Sequence, residues 1–235
     1  MCQPLPIHLL FHRPMQLEAV IFDIDGLLID SEPLWNEAAT ETFVRYGVNL
    51  TEDQYKTTTG LRTREFLQWW FAWFGINETE IPVAEKQVVS LVLEKIASKG
   101  TIMPGVPHIF DFFSRKSIKI GLATSSPPEL IELVMDMAGI RNIVRATASA
   151  ELLLHGKPHP QVYLNCAAEL EVKPIHCLCF EDSFNGLIAA KAARMKCVVV
   201  PHHSQIKDER WGAADLKLSS LQNFGELHFS LLGDR

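Results

Sequence analysis

Four short, continuous apolar runs constrain this chain most: LEAVIF (17–22), IKIGLAT (118–124), CLCF (177–180) and CVVVP (197–201), with a weaker fifth at VRATA (144–148). None alternates apolar with polar residues. That is the pattern of strands covered on both faces, not of a sheet with one wet side. Helical patterns separate the later runs. PPELIELVMDMAG stops at Gly139, HPQVYLNCAAELEV starts at Pro160, and NGLIAAKAARM precedes the last run. Strand alternating with helix requires right-handed crossovers, which predicts an α/β domain built on a parallel sheet.

The stretch from about residue 33 to 98 breaks this rhythm and holds no convincing strand. Trp35, Ala38, Ala39, Thr42, Phe43 and Tyr46 recur at helical spacing and end at Gly47. Thr63 is a candidate cap for REFLQWWFAWFG, which ends at Gly75, and VAEKQVVSLVLEKIASKG closes at Gly100. The expected organisation is therefore an N-terminal extension (1–16), an α/β core (17–32 plus 99–235) and an all-helical insert (33–98). Four of the five tryptophans fall in the insert, where packing of its own core is the expected role. Met15 sits just before the first strand and is an alternative start. The extension lacks a basic leader and a small-residue cleavage site.

Composition excludes several function classes. The net charge is −6, and no run of Lys and Arg reaches four residues. A nucleic-acid or membrane-surface role has no electrostatic footprint. No stretch approaches the ~20 apolar residues that a membrane span needs. The five cysteines are an odd count, which argues against a disulfide framework and for a reducing, cytoplasmic setting. Cys177 and Cys179 lie in an apolar strand, where small core residues are expected rather than zinc ligands.

Open parallel sheets bind ligands beyond the carboxyl ends of their strands, and polar groups stand at four such ends. Asp23 and Asp25 end the first run, with Gly26 allowing a tight turn. Thr124 and Ser125 end the second. Lys157 follows the weak run in HGKPHP, and Glu181 and Asp182 end CLCF. Asp23, Glu181 and Asp182 would bring three negative charges together, which cannot all stay ionised without compensation. Lys157 and a divalent cation supply three positive charges. An all-oxygen donor set suits Mg²⁺, which takes a few carboxylates plus a substrate phosphate.

The four segments FDIDG, LATSS, GKPHP and FEDSFNG, in that order, resemble the motifs of the haloacid dehalogenase-like hydrolase superfamily. The resemblance runs over about residues 17–225. It implies a Rossmann-like core with a small helical cap domain inserted after the first motif. DIDGLLIDSEPLW, TGLR and EDSFNGLIAAKAARM are similar to the bacterial hexitol and 2-deoxyglucose-6-phosphate phosphatases within the β-phosphoglucomutase-like branch. The resemblance makes Asp23 the nucleophile that forms an aspartyl-phosphate and Asp25 the acid and base. Thr124, the Ser125 backbone and Lys157 would bind phosphate. Asp23, the Asp25 carbonyl and Asp182 would hold Mg²⁺, with Glu181 direct or through water. Gly60 and Arg62 are the substrate candidates on the cap. Gly156 departs from the serine that relatives can carry before the lysine, which affects the loop rather than the chemistry.

The expectation is a monomeric Mg²⁺-dependent phosphatase of small sugar or sugar-alcohol phosphates. A phosphosugar mutase is the alternative on the same fold. The resemblance counts against it, because mutase-type relatives carry His and Lys where Trp35 and Thr59 stand here. A non-catalytic binding protein is the alternative from another class, and it predicts loss of a charged motif residue, none of which is lost.

Overall fold

The structure is a computed structural model that describes residues 17–233; the expected N-terminal extension lies outside the described residues. Strand β1 (Ala19–Phe22) is followed by four helices, α1 (Glu32–Phe43), α2 (Glu52–Thr57), α3 (Thr63–Phe74) and α4 (Ile81–Lys99). The rest alternates: α5 (Val106–Arg115), β2 (Lys119–Thr124), α6 (Pro128–Ala138), β3 (Val144–Ser149), α7 (Gln161–Glu169), β4 (Cys177–Glu181), α8 (Phe184–Ala192), β5 (Lys196–Val199), β6 (Leu216–Lys217) and α9 (Glu226–Gly233). The sheet has the order β3-β2-β1-β4-β5-β6, and every pairing is parallel.

All five apolar runs form strands, which settles the fold as α/β with a Rossmann-like parallel sheet. Four elements were not anticipated. β6 is only two residues long, α2 is short and polar, α5 carries so many apolar residues that its period is hard to see in VPHIFDFFSR, and α9 is a short helix well beyond the last apolar run. The expected cap of α3 also moves by one residue: Thr63 is its first helical residue, and Glu65 accepts a hydrogen bond from the Arg62 N–H.

The two faces of the sheet differ in side-chain size, and this decides what packs on each. Val20 and Phe22 of β1 point into a large cluster with Leu122, Leu178 and Phe180. There Phe22 stacks between Phe110 of α5 and Phe180, with ring centroids 4.8 and 4.9 Å away. The opposite face carries Ala19, Ile21, Ala123, Cys179 and Cys197 and packs against α7 and α8. Small residues there let the helices approach closely. The four described cysteines are all buried and unpaired, and burial pushes the Cys177 thiol up to about 12.

The helices between β1 and β2 have two attachments. Phe43, Leu67, Trp70, Phe71, Ile81 and Ala84 form a cluster of their own. Leu34 and Ala38 of α1, with Val88, Val92 and Ile96 of α4, belong to the larger cluster instead. The tryptophan stripe splits accordingly: Trp70 is buried, whereas Trp69 and Trp73 are 59% and 70% exposed. Core packing therefore explains only part of the stripe.

Candidate active site

β1 lies inside the sheet between β2 and β4, where the strand order reverses. Its carboxyl end opens onto the crevice where open α/β sheets take ligands. The ladder delivers Asp23 there, since its N–H bonds to the Phe180 carbonyl at 3.0 Å. The chain then turns back on itself, with the Gly26 N–H on the Ile29 carbonyl at 3.0 Å. Gly26 has φ +70°, and a Cβ there would stand 2.1 Å from Asp182 Oδ2. Only glycine lets the turn and the second acidic strand end share this space.

Lys157 is 2% exposed and joins the strand ends. Its Nζ donates to Asp23 Oδ1 at 2.7 Å, Glu181 Oε1 at 2.6 Å and the Ala123 carbonyl at 3.1 Å. Burial works against its charge, but Asp23 and Glu181 outweigh it and keep the ammonium protonated. Glu181 is fully buried. Its Oε1 also accepts from Tyr163 Oη. Its Oε2 accepts from the Asp182 and Ser183 N–H groups at 3.2 Å and from Ser183 Oγ at 3.1 Å. Both Glu181 oxygens are thus committed, whereas no side-chain bond engages Asp23 Oδ2 or the Asp182 carboxylate among those described.

Asp23, Glu181 and Asp182 have oxygens within 4.8 Å of one another. Burial pushes the Asp23 carboxyl up to about 7 against the pull of Lys157, with Glu181 and Asp25 adding to the rise. Burial, then Asp23, Glu32 and Glu181, also raises the Asp182 carboxyl well above its ordinary range. One lysine does not balance these carboxylates. A buried, all-oxygen, undercompensated cluster fits a hard divalent cation.

Asp25 is held by a separate set of donors. Ser31 Oγ and Trp35 Nε1 reach its Oδ1 at 2.7 and 2.6 Å, and Ser126 Oγ reaches Oδ2 at 2.5 Å, with Thr124 Oγ1 at 3.5 Å. Thr124 also accepts from the Ser126 N–H at 3.1 Å. Ser125 turns its hydroxyl to the Gly60 carbonyl at 2.8 Å, so its side chain faces the insert and not the carboxylates.

A cavity of about 320 Å³ lies above these groups. Asp23, Asp25, Thr124, Ser125, Lys157 and Asp182 line its floor, and Gly60 its roof. Arg62, the other insert candidate, does not line it. Its guanidinium instead reaches the carbonyls of Ala150, Leu153 and Leu154. Sequence reasoning missed Ser31, Ser126 and Tyr163, whose hydroxyls reach the acids from residues that are ordinary in a strand-end loop or helix. It also placed Trp35 only near the hinge and denied it a part in proton control, yet its indole N–H touches Asp25. The far wall, with Glu32, Tyr55, Lys56 and His202, gave no motif at all.

A family model described as haloacid dehalogenase-like hydrolase matches residues 17–194. The chain is 41% identical over 212 residues to hexitol phosphatase B of Escherichia coli K12, covering 88% of this chain and 94% of that protein. It is 32% identical over 195 residues to the phosphorylated carbohydrates phosphatase of Thermotoga maritima, covering 80% and 87% respectively. The solved structure of CbbY from Rhodobacter sphaeroides with phosphate superimposes with a TM-score of 0.79 at 26% identity, covering 92% of this chain and 99% of that one.

Proposed function

This chain belongs to the haloacid dehalogenase-like hydrolases, and from that premise we propose that it is a Mg²⁺-dependent phosphatase of small sugar or sugar-alcohol phosphates. The observation that carries the reading is the Asp23–Lys157–Glu181 chain at the carboxyl end of β1, under a cavity of hexose-phosphate size. The names of the two phosphatase relatives support the substrate class.

In this reading Asp23 attacks the phosphorus. Lys157 holds Oδ1, so Oδ2 is the attacking atom, and the ammonium offsets charge on the phosphate. Asp25 gives a proton to the departing sugar oxygen and takes one back from the water that hydrolyses the aspartyl-phosphate. Ser31, Trp35 and Ser126 hold its carboxyl in place between the two steps. Thr124 and the Ser125 backbone bind phosphate oxygens. Asp23, Asp182 and the Asp25 carbonyl would hold Mg²⁺, with Glu181 behind them directly or through water. The ion supplies the positive charge that lets a dianion approach a carboxylate. Residues 33–98 act as the cap that covers the sugar, and the protein works as a monomer in the cytoplasm.

The test is phosphate release from a panel of hexose, hexitol, pentose and nucleotide phosphates, with Mg²⁺ and with excess chelator. Release that needs Mg²⁺ and is fastest on hexose or hexitol phosphates is the expected result. Activity that survives the chelator would remove the metal from the reading. With β-glucose 1-phosphate and a trace of the bisphosphate, glucose 6-phosphate forming faster than inorganic phosphate would replace the phosphatase by a mutase.

A further inference from the structure

The turn at the start of α3 makes more polar contacts with the core than a simple cover needs. Arg62 has a side chain only 11% exposed. Its Nη1 donates to the Ala150 carbonyl at 3.1 Å and to that of Leu153, and its Nη2 to that of Leu154 at 3.4 Å. Nη2 also pairs with Glu65 Oε1 at 2.6 Å. Glu65 in turn accepts the Gly156 N–H at 3.1 Å. Burial alone would raise the Glu65 carboxyl, but the bonds from Arg62 and Gly156 hold it below its ordinary range. Two further bonds pin the same turn to other strand-end loops: Ser125 Oγ to the Gly60 carbonyl at 2.8 Å and Asn185 Nδ2 to the Thr59 carbonyl at 2.9 Å.

Gly156 explains why the Arg62–Glu65 pair fits. A Cβ there would lie 2.6 Å from Glu65 Oε2, 2.7 Å from Arg62 Nε and 2.9 Å from Arg62 Cγ. Real Cβ atoms do not approach so closely, so a serine at 156 and this pair exclude each other in the observed arrangement. The next residue is Lys157, whose Nζ sets Asp23. A movement of the insert away from the core must break the Gly156 bond one residue from that lysine.

We propose that Arg62 and Glu65 are positioning residues, a latch that closes the insert over a sugar-sized substrate and ties that closure to the loop bearing Lys157. The inference rests on the phosphatase reading only for its choice of substrate. The latch is built to open. Its bonds go to backbone carbonyls and an N–H that water satisfies equally well, and Arg62 Nε is buried with no acceptor, which costs the closed state.

The experiment compares two phosphoryl donors with Mg²⁺. Sorbitol 6-phosphate is long enough to meet the insert, and acetyl phosphate is too short to gain from closure. Glu65→Ala should lower kcat/KM for sorbitol 6-phosphate by about tenfold or more, mainly through KM, and change that for acetyl phosphate by less than about threefold. Gly156→Ala should give the same split. In an Arg62→Ala/Glu65→Ala background, the Gly156 substitution should add little, because the atoms it meets are gone. Equal losses on both donors, or no loss on either, would overturn the latch. Amide hydrogen exchange supplies a readout besides turnover. Glu65→Ala should speed exchange at Gly156 and across residues 58–66 together. If the unaltered protein hydrolyses neither donor, the phosphatase reading fails on its own. In that case faster exchange still supports the latch, and unchanged exchange overturns it.

Discussion

Asp23 and Asp25 are two residues apart and meet different surroundings. Asp23 faces Lys157 and other carboxylates, whereas Asp25 faces three hydroxyls and an indole N–H. The difference predicts different defects. Asp23→Asn should leave the fold intact and reduce turnover below about one per cent, because an amide cannot form the phosphoryl-enzyme; higher residual turnover in a steady-state assay would remove Asp23 as nucleophile. Trp35→Phe keeps an aromatic ring on α1 but removes the indole N–H that donates to Asp25. It should lower kcat by about tenfold with little change in KM, the effect of one hydrogen bond to a charged group. An unaltered kcat would mean that the indole merely packs there.

At the scale of elements, the site depends on helix starts that do two jobs. Ser183 caps α8 by accepting the Gly186 N–H at 3.0 Å while donating to Glu181 at 3.1 Å. Ser183→Ala should destabilise the protein by about 1–2 kcal/mol, the usual cost of a lost cap with some contribution from the buried carboxylate. Tyr163, in the first turn of α7, holds Glu181 from the other side. Tyr163→Phe should cost about 1.5–3 kcal/mol, the range for a hydrogen bond to a charged group. Denaturant titration of each variant checks both values, and a change within error at either position would show that its bond to Glu181 contributes nothing net.

At the scale of the whole molecule, the carboxylate cluster links metal, proton and stability. Burial raises Asp23 to about 7 from an ordinary value of 3.8, and Asp182 moves the same way. Between those values the folded, metal-free protein keeps protons that the unfolded chain releases. Its stability should therefore fall as pH rises from about 4 to 7 and stay low above that. Mg²⁺ competes with those protons and should raise the melting temperature more at pH 8 than at pH 5. A metal-induced shift that is equal at both pH values would contradict the charge balance assigned to the site. Among the described residues no helix is long and apolar enough to cross a membrane.

The sequence by itself determined five of the sheet's six strands, because continuous apolar runs need cover on both faces. It also marked the seven core residues whose charge or hydroxyl stands at or just beyond a strand end: Asp23, Asp25, Thr124, Ser125, Lys157, Glu181 and Asp182. Those signals are local, and they need only the strand to be placed correctly. Other features were settled by contacts between segments far apart in the chain. Tyr163 meets Glu181 because the small-residue face of the sheet lets α7 come close. Trp35 meets Asp25 because the chain folds back at Gly26 and carries α1 over the strand end. Arg62 turns away from the cavity because loop carbonyls some ninety residues later offer it acceptors. Gly156 looked like a minor departure in a motif. Only the tertiary structure gives the space of its missing Cβ to Arg62 and Glu65, since no local pattern records which distant side chain will occupy a gap.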